Sequence, residues 1–234
     1  MTALPSVQKK IYANLGNPAV LGLVPESAKT ILDLGCGAGD NARILKSRGK
    51  SVVGVTYSPD EARSASEFCE RVYVGDLEAG VPIVSGEFDA VICSHVLEHI
   101  CFPEKCLKDV HRLMSPGGTL VVALPNLMNY RYRFRLIMGR FEYEANGIMD
   151  NTHFRWYTFT SAEQMLNDNS FEIVTAFAEG SLPLWPVRRI APKHWLRPLD
   201  KAACRIFPGL FGGQLVYSAK RILSTDDEPA TTRP

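Results

Sequence analysis

The sequence has no excess of charge of either sign: 26 Lys and Arg stand against 25 Asp and Glu, a formal net charge of +1. Such a chain has no bulk field to draw it onto a polyanion, which argues against nucleic acid as a partner. It also lacks any apolar run near the roughly 18 residues that suggest a membrane span. The opening MTALPSVQKK has no apolar stretch of the secretory kind, so a cytoplasmic, reducing setting is expected. Cysteines are present (Cys36, Cys69, Cys93, Cys101, Cys106 and Cys204) but form no C-x-x-C pair. Several fall inside apolar runs and read as buried thiols. CSHVLEHICFPEKC has the residue types of a metal site without the paired zinc spacing, and no metal is expected. No internal repeat is visible.

What is present is an alternation. The chain has 234 residues, 46% of them hydrophobic, enough for one domain with a sizeable core. TILDLG, SVVGVTY, RVYVGD, EFDAVICSH and TLVVALP read as buried strands. Between them DNARILKSRG, SPDEARSASEFCE and PEKCLKDVHRLM read as helices; Gly49 closes the first, and Ser58 and Pro59 open the second. Such alternation predicts an α/β fold, a parallel sheet with helices on both faces. Residues 126–158 interrupt it and are rich in aromatics and arginine. A helix near SAEQMLNDN, a strand FEIVTAF, a Pro/Trp/Arg-rich connection over 181–211 and a last strand QLVYSAK follow. The expected layout is a single domain over 1–223: a ligand-binding half at about 28–125, then the two insertions 126–158 and 181–211. The polar tail 224–234 is expected to be disordered.

TILDLGCGAGDNARIL resembles a dinucleotide loop, but the third glycine of G-x-G-x-x-G is replaced by Asp40. Asp33 and Asp40 would repel a pyrophosphate, and no cation in the loop compensates. A ligand carrying an ammonium and a sulfonium reverses the sign, and S-adenosylmethionine is such a ligand. Gly35, Gly37 and Gly39 would let the backbone approach it closely.

ILDLGCGAGD is similar to motif I of the class I S-adenosylmethionine-dependent methyltransferases. VYVGDLE, FDAVICSHVLEHI and LMSPGGTLVVALPN resemble further motifs of that family, in order. The resemblance implies a Rossmann-like sandwich with a mostly parallel seven-stranded sheet. It implies cofactor contacts from Asp33, Gly35, Cys36, Gly37 and Gly39, from Asp76 and Leu77 around the adenine, and from Ser94 and His95 near the methionine end. The second strand of most members ends in an acid that holds the ribose; here Thr56 stands there, with Tyr57 placed to pack on the adenine.

Residues 126–158 resemble a branch associated with glycan and nucleotide-sugar biosynthesis, and GDLEAG is similar to a stretch of the W-type proteins of methionine biosynthesis. A small-molecule acceptor follows, a sugar or sugar-linked hydroxyl, with a quinone-like aromatic or a non-catalytic partner-binding module as alternatives. Arg131, Arg135 and Arg140, with Asn126, are the candidate acceptor contacts, since guanidinium forks suit phosphate; a solvated arginine face on a lid helix is the plainer reading. A hydroxyl acceptor favours a general base. His153, oriented by Asp150, is the first candidate and His95 the second; Glu98 and His99 read as a structural network. Basic and aromatic residues over 181–211 fit a weak membrane-surface contact or a simple cover over the acceptor. Oligomeric state is left open.

Overall fold

The computed structural model describes residues 15–189 and 193–222. The first fourteen residues and the tail 224–234 lie outside them. In chain order the elements are α1 (Pro18–Leu21), β1 (Thr30–Leu34), α2 (Asp40–Ser47), β2 (Ser51–Thr56), α3 (Pro59–Ala65), β3 (Arg71–Val74), β4 (Phe88–Ser94), a 3-10 turn (Leu97–His99), α4 (Pro103–Leu113) and β5 (Met114–Pro125). Then come α5 (Tyr130–Ile137), α6 (Phe159–Asp168), β6 (Phe171–Gly180), α7 (Trp185–Arg188), α8 (Lys193–Ile206), α9 (Pro208–Phe211) and β7 (Gly212–Arg221).

The strands form one sheet in the order β3-β2-β1-β4-β5-β7-β6. β1 to β5 pair in parallel, and β7 runs antiparallel to β5 and β6. This is the expected α/β Rossmann-like sandwich with a mostly parallel seven-stranded sheet. The strand order reverses at β1, which has β2 on one side and β4 on the other. A crevice therefore opens beyond the carboxyl ends of β1 and β4, where open α/β sheets bind ligands.

The central strands are buried on both faces because they send apolar side chains both ways with period two. Leu32, Leu34, Val91, Cys93, Leu120 and Val122 pack on one side with Leu107, Val110 and Leu113 of α4 and Leu166 of α6. Ile31, Ala90, Ile92, Val121 and Val216 pack on the other with Val20 and Leu21 of α1 and Leu45 of α2. Each fully buried leucine contributes about 1.5–3 kcal/mol. Asp33 breaks the pattern of β1, being buried at 1% exposure where an apolar residue would fit.

The Ser58 side chain accepts from the Glu61 N–H at 3.4 Å, with Pro59 in the first turn, so α3 starts where its sequence predicts. It ends sooner, at Ala65. The Pro/Trp/Arg-rich connection 181–211 carries the helices α7, α8 and α9. Among the described residues no helix is long and apolar enough to cross a membrane.

Candidate active site

The glycine loop leaves β1 and enters α2 with three left-handed residues: Gly35 at φ 69°, Gly37 at 54° and Gly39 at 89°. A β-carbon on Gly35 would lie 2.4 Å from Val96 Cγ2, and one on Gly39 would lie 2.9 Å from Ala65 Cα. The loop is therefore held tight from below, and its backbone is what it presents above. The Cys36 thiol turns into the core near Cys69 and Gly54, and Cys69 and burial push it up. Only its backbone borders the loop.

Neither carboxylate oxygen of Asp33 has a hydrogen-bond partner in the structure. Burial pushes this carboxyl up to about 7, with the Asn41 side chain acting the other way. A buried, unpartnered carboxylate is costly unless something cationic meets it. An ammonium group meets that need and a phosphate does not, so the residues present fit S-adenosylmethionine.

The other cofactor candidates share this carboxyl edge. Thr56 ends β2 and is buried, and Tyr57 beside it is 74% exposed. Asp76 and Leu77 follow β3; Asp76 Oδ1 accepts from the Glu78 N–H at 2.9 Å, and Leu77 packs on the core. Ser94 ends β4 and accepts from Asn17 Nδ2 at 3.2 Å. A carboxylate reaches the end of β2 from elsewhere in the chain. Thr56 Oγ1 donates to Glu61 Oε2 at 2.6 Å, placing a buried carboxylate from the first turn of α3 beside the position. The five-residue spacing was in the sequence, but only the strand-to-helix turn makes it a contact. Glu61→Gln is expected to weaken cofactor affinity about tenfold, the size of one charge-assisted bond; unchanged affinity in calorimetry would leave Glu61 structural.

His95 takes a left-handed backbone, φ 56°, rare for a side chain of its size. Its Nδ1 lies 3.3 Å from Glu98 Oε1 and its Nε2 lies 3.0 Å from Gln214 Oε1. Gln214 Nε2 donates to Glu179 Oε2 at 3.1 Å, and a carboxylate can only accept, so the amide oxygen is the atom facing His95. Both ring nitrogens thus face acceptors. Burial opposes a charge on the ring, but Glu98 and Gln214 together hold His95 above its ordinary value. A ring with both nitrogens facing acceptors has no free lone pair aimed at a substrate proton, which makes it a poor candidate for the base. Gln214, Asn17 and Glu179 come from three distant elements, and no motif marks them.

His153 is arranged oppositely. Its Nδ1 lies 3.0 Å from the Ile148 carbonyl oxygen, which can only accept, so Nδ1 carries the proton and Nε2 is the basic nitrogen. Burial lowers it below the usual histidine value. The orienting partner is therefore a backbone carbonyl. Asp150 acts one step back: its Oδ1 accepts from the Thr152 N–H at 2.9 Å and from Thr152 Oγ1 at 2.7 Å, fixing the turn that carries His153. The N–H groups of Phe154 and Arg155 both bond the Glu98 carbonyl, at 2.9 and 3.1 Å, so the insertion is tied to the turn after β4. One ligand atom each of Glu98, His99 and His153 lies within 4.8 Å of the others, a spacing that could hold an ion. The sequence spacing behind the expectation of no metal did not foresee His153 joining Glu98 and His99.

The acceptor candidates divide. Asn126 is fully buried, its amide donating to the carbonyls of Gly209 at 3.1 Å and Gly212 at 2.8 Å, so it fastens β5 to the start of β7. That departs from its expected place against substrate. Arg135 is paired with Glu142 at 3.2 Å and with Glu144. Arg131 donates to Tyr130 OH at 3.0 Å and lies over that ring. Arg140 is exposed.

Residues 32–122 match the model of a methyltransferase domain. The chain is similar to the ubiquinone biosynthesis O-methyltransferase of Psychrobacter cryohalolentis, 28% identical over 54% of this chain and 51% of that protein. It is 30% identical to the protein of the same name in Pseudomonas paraeruginosa, over 52% of this chain and 56% of that one. The chain thus spans about half the length of these relatives. Among solved structures it is similar to a SAM-dependent methyltransferase from Archaeoglobus fulgidus (TM-score 0.58, 19% identity, 84% of this chain and 87% of that one). A methyltransferase from Mesorhizobium loti gives 0.61 and 19%, over 87% and 96%. The fold, the matched domain and the unpartnered Asp33 beneath the glycine loop agree: residues 32–122 form a methyltransferase domain, and the cofactor that its residues fit is S-adenosylmethionine.

Proposed function

We propose that this methyltransferase acts on a hydroxyl of a small aromatic, quinone-like acceptor, with His153 as the general base. The observation that carries the reading is how the acceptor segment uses its arginines. Arg135 is neutralised by Glu142 and Glu144, and Arg131 is turned onto Tyr130, so the forks expected to hold phosphate are engaged within the chain. What the segment keeps is aromatic: Phe141, Tyr143 and Trp156 meet with ring centroids 5.6–5.9 Å apart, and Phe141 and Tyr143 are about half exposed. Such rings favour a flat apolar acceptor by edge and face contacts. The names of the similar O-methyltransferases support the same acceptor class. A sugar-linked acceptor keeps one supporting observation, exposed Arg140 beside Phe141. The partner-binding module without catalysis has no such support.

S-adenosylmethionine supplies, when bound, a methyl carbon made electrophilic by its sulfonium. The protein's part is to hold that ligand by Asp33 and the glycine loop, and to take the hydroxyl proton at His153 Nε2. Because burial keeps His153 below the usual histidine value, its basic form persists to slightly acidic pH.

The test is product mass after incubation with the cofactor and either a catechol or a nucleotide sugar. A methylated catechol is expected, and His153→Gln should lower kcat about a hundredfold. Methylation of the sugar alone would overturn the acceptor class. Full turnover by the variant would remove His153 as the base.

A further inference from the structure

We propose that α5 and α8 form a docking face for an anionic lipid surface. On α8, Trp195, Leu199 and Ile206 are 66%, 53% and 67% exposed, and with Ala202 they recur at spacings of four, three and four. That spacing puts them on one stripe of the helix. The opposite side, Leu196, Asp200 and Cys204, is buried against the protein, with α8 packed on β6. A third stripe carries Arg197, Lys201 and Arg205, each four residues from the next and all exposed.

The apolar stripe continues beyond the helix. Phe207, 57% exposed, meets Phe211 with ring centroids 6.2 Å apart, and Phe211 meets Tyr130 at 6.3 Å. Tyr130 begins α5; its Phe134 and Ile137, and Met138 just past its end, are 66%, 81% and 62% exposed. These residues follow Tyr130 by four, seven and eight, again on one side.

The charges decide the occupant. α5 contains no acid, and Asp200, the acid of α8, is buried and paired with Arg188 at 2.5 Å. The nearby Glu142 and Glu144 are held by Arg135. The face is therefore apolar and cationic together. A second copy of the chain would set guanidinium against guanidinium on one symmetric patch. An anionic bilayer surface complements both parts: acyl chains for the aromatic and aliphatic groups, headgroups for the cations. The face also adjoins the acceptor segment, because Asn126 and Asn129 bond the Gly212 carbonyl at the end of α9. A lipid-soluble acceptor would thus be met at the surface in which it dissolves.

The test needs neither cofactor nor acceptor, so its failure would leave the methyl-transfer reading untouched. The full chain is sedimented with vesicles of phosphatidylcholine alone, or with about one part in three phosphatidylglycerol. Binding to the anionic vesicles only, reversed by salt, is expected. The Arg197→Ala, Lys201→Ala, Arg205→Ala triple variant should partition about a hundredfold less, at roughly tenfold per 1.4 kcal/mol and about 1 kcal/mol per charge. Leu199→Ser with Ile206→Ser should also weaken binding, while circular dichroism keeps the wild-type spectrum. No binding to either vesicle, binding that the triple variant retains, or a dimer that these substitutions dissociate would overturn the proposal.

Discussion

Asp33→Asn is expected to lower affinity for S-adenosylmethionine by about a hundredfold while making the ligand-free protein more stable. The two effects have one cause. The native carboxyl sits without a hydrogen-bond partner at 1% exposure, held up to about 7. In the unfolded chain it would ionise near 4. Below pH 4 it is protonated in both states and costs nothing. As pH rises from about 4 to 7, the unfolded chain gains by ionising and the folded one does not, so stability falls, by something on the order of 4 kcal/mol in total. Above 7 the loss is complete. An ammonium ligand reverses the balance because it binds the ionised form. Cofactor affinity should therefore climb with pH up to about 7 and level off above it, with proton release on binding at the lower end. The asparagine variant should show a flat profile. Calorimetry at pH 5.5, 7 and 8.5 decides it: a flat profile for the native protein would remove Asp33 as the ammonium's partner.

Gly35→Ala should destabilise the protein by about 3 kcal/mol and abolish measurable cofactor binding. Two terms add: the left-handed φ of 69°, costing about 1–2 kcal/mol for a residue with a side chain, and the approach to Val96 Cγ2 at 2.4 Å, overpacking of about 1–3 kcal/mol. They can be separated. Combined with Val96→Ala the clash is relieved and the backbone term stays, so the double variant should be less destabilised than the two single changes added together. Strict additivity in denaturant melts would show that the methyl contact is not the cause.

The strands were legible because buried parallel strands are written as short apolar runs, and TILDL, SVVGVT and FDAVICS are mostly apolar. The glycine loop was legible for the same local reason, since neighbouring residues carry its charge and its freedom. α8 was not. Its apolar residues are split between a buried side, Leu196 and Cys204, and an exposed side, Trp195, Leu199 and Ile206, so no single stripe appears, and Pro198 sits inside it. The fate of the arginines was hidden too: Arg135 finds Glu142 and Glu144 seven and nine residues on, beyond the end of its helix. His95 was visible as a histidine at a strand end. Glu98, three residues on, does most to hold it above its ordinary value, but its second partner, Gln214 fixed by Glu179, lies 119 residues away.

β7 lies between β5 and β6 in the sheet, yet follows both along the chain. Until it inserts, both neighbours carry an open hydrogen-bonding edge, and Tyr217, fully buried in the finished core, has nowhere to go. β7 also carries Gln214, the partner of His95. A folding intermediate that had assembled β1 to β5 would thus have a glycine loop but no finished active site, and competence for chemistry would arrive with the closing strand rather than with the cofactor half.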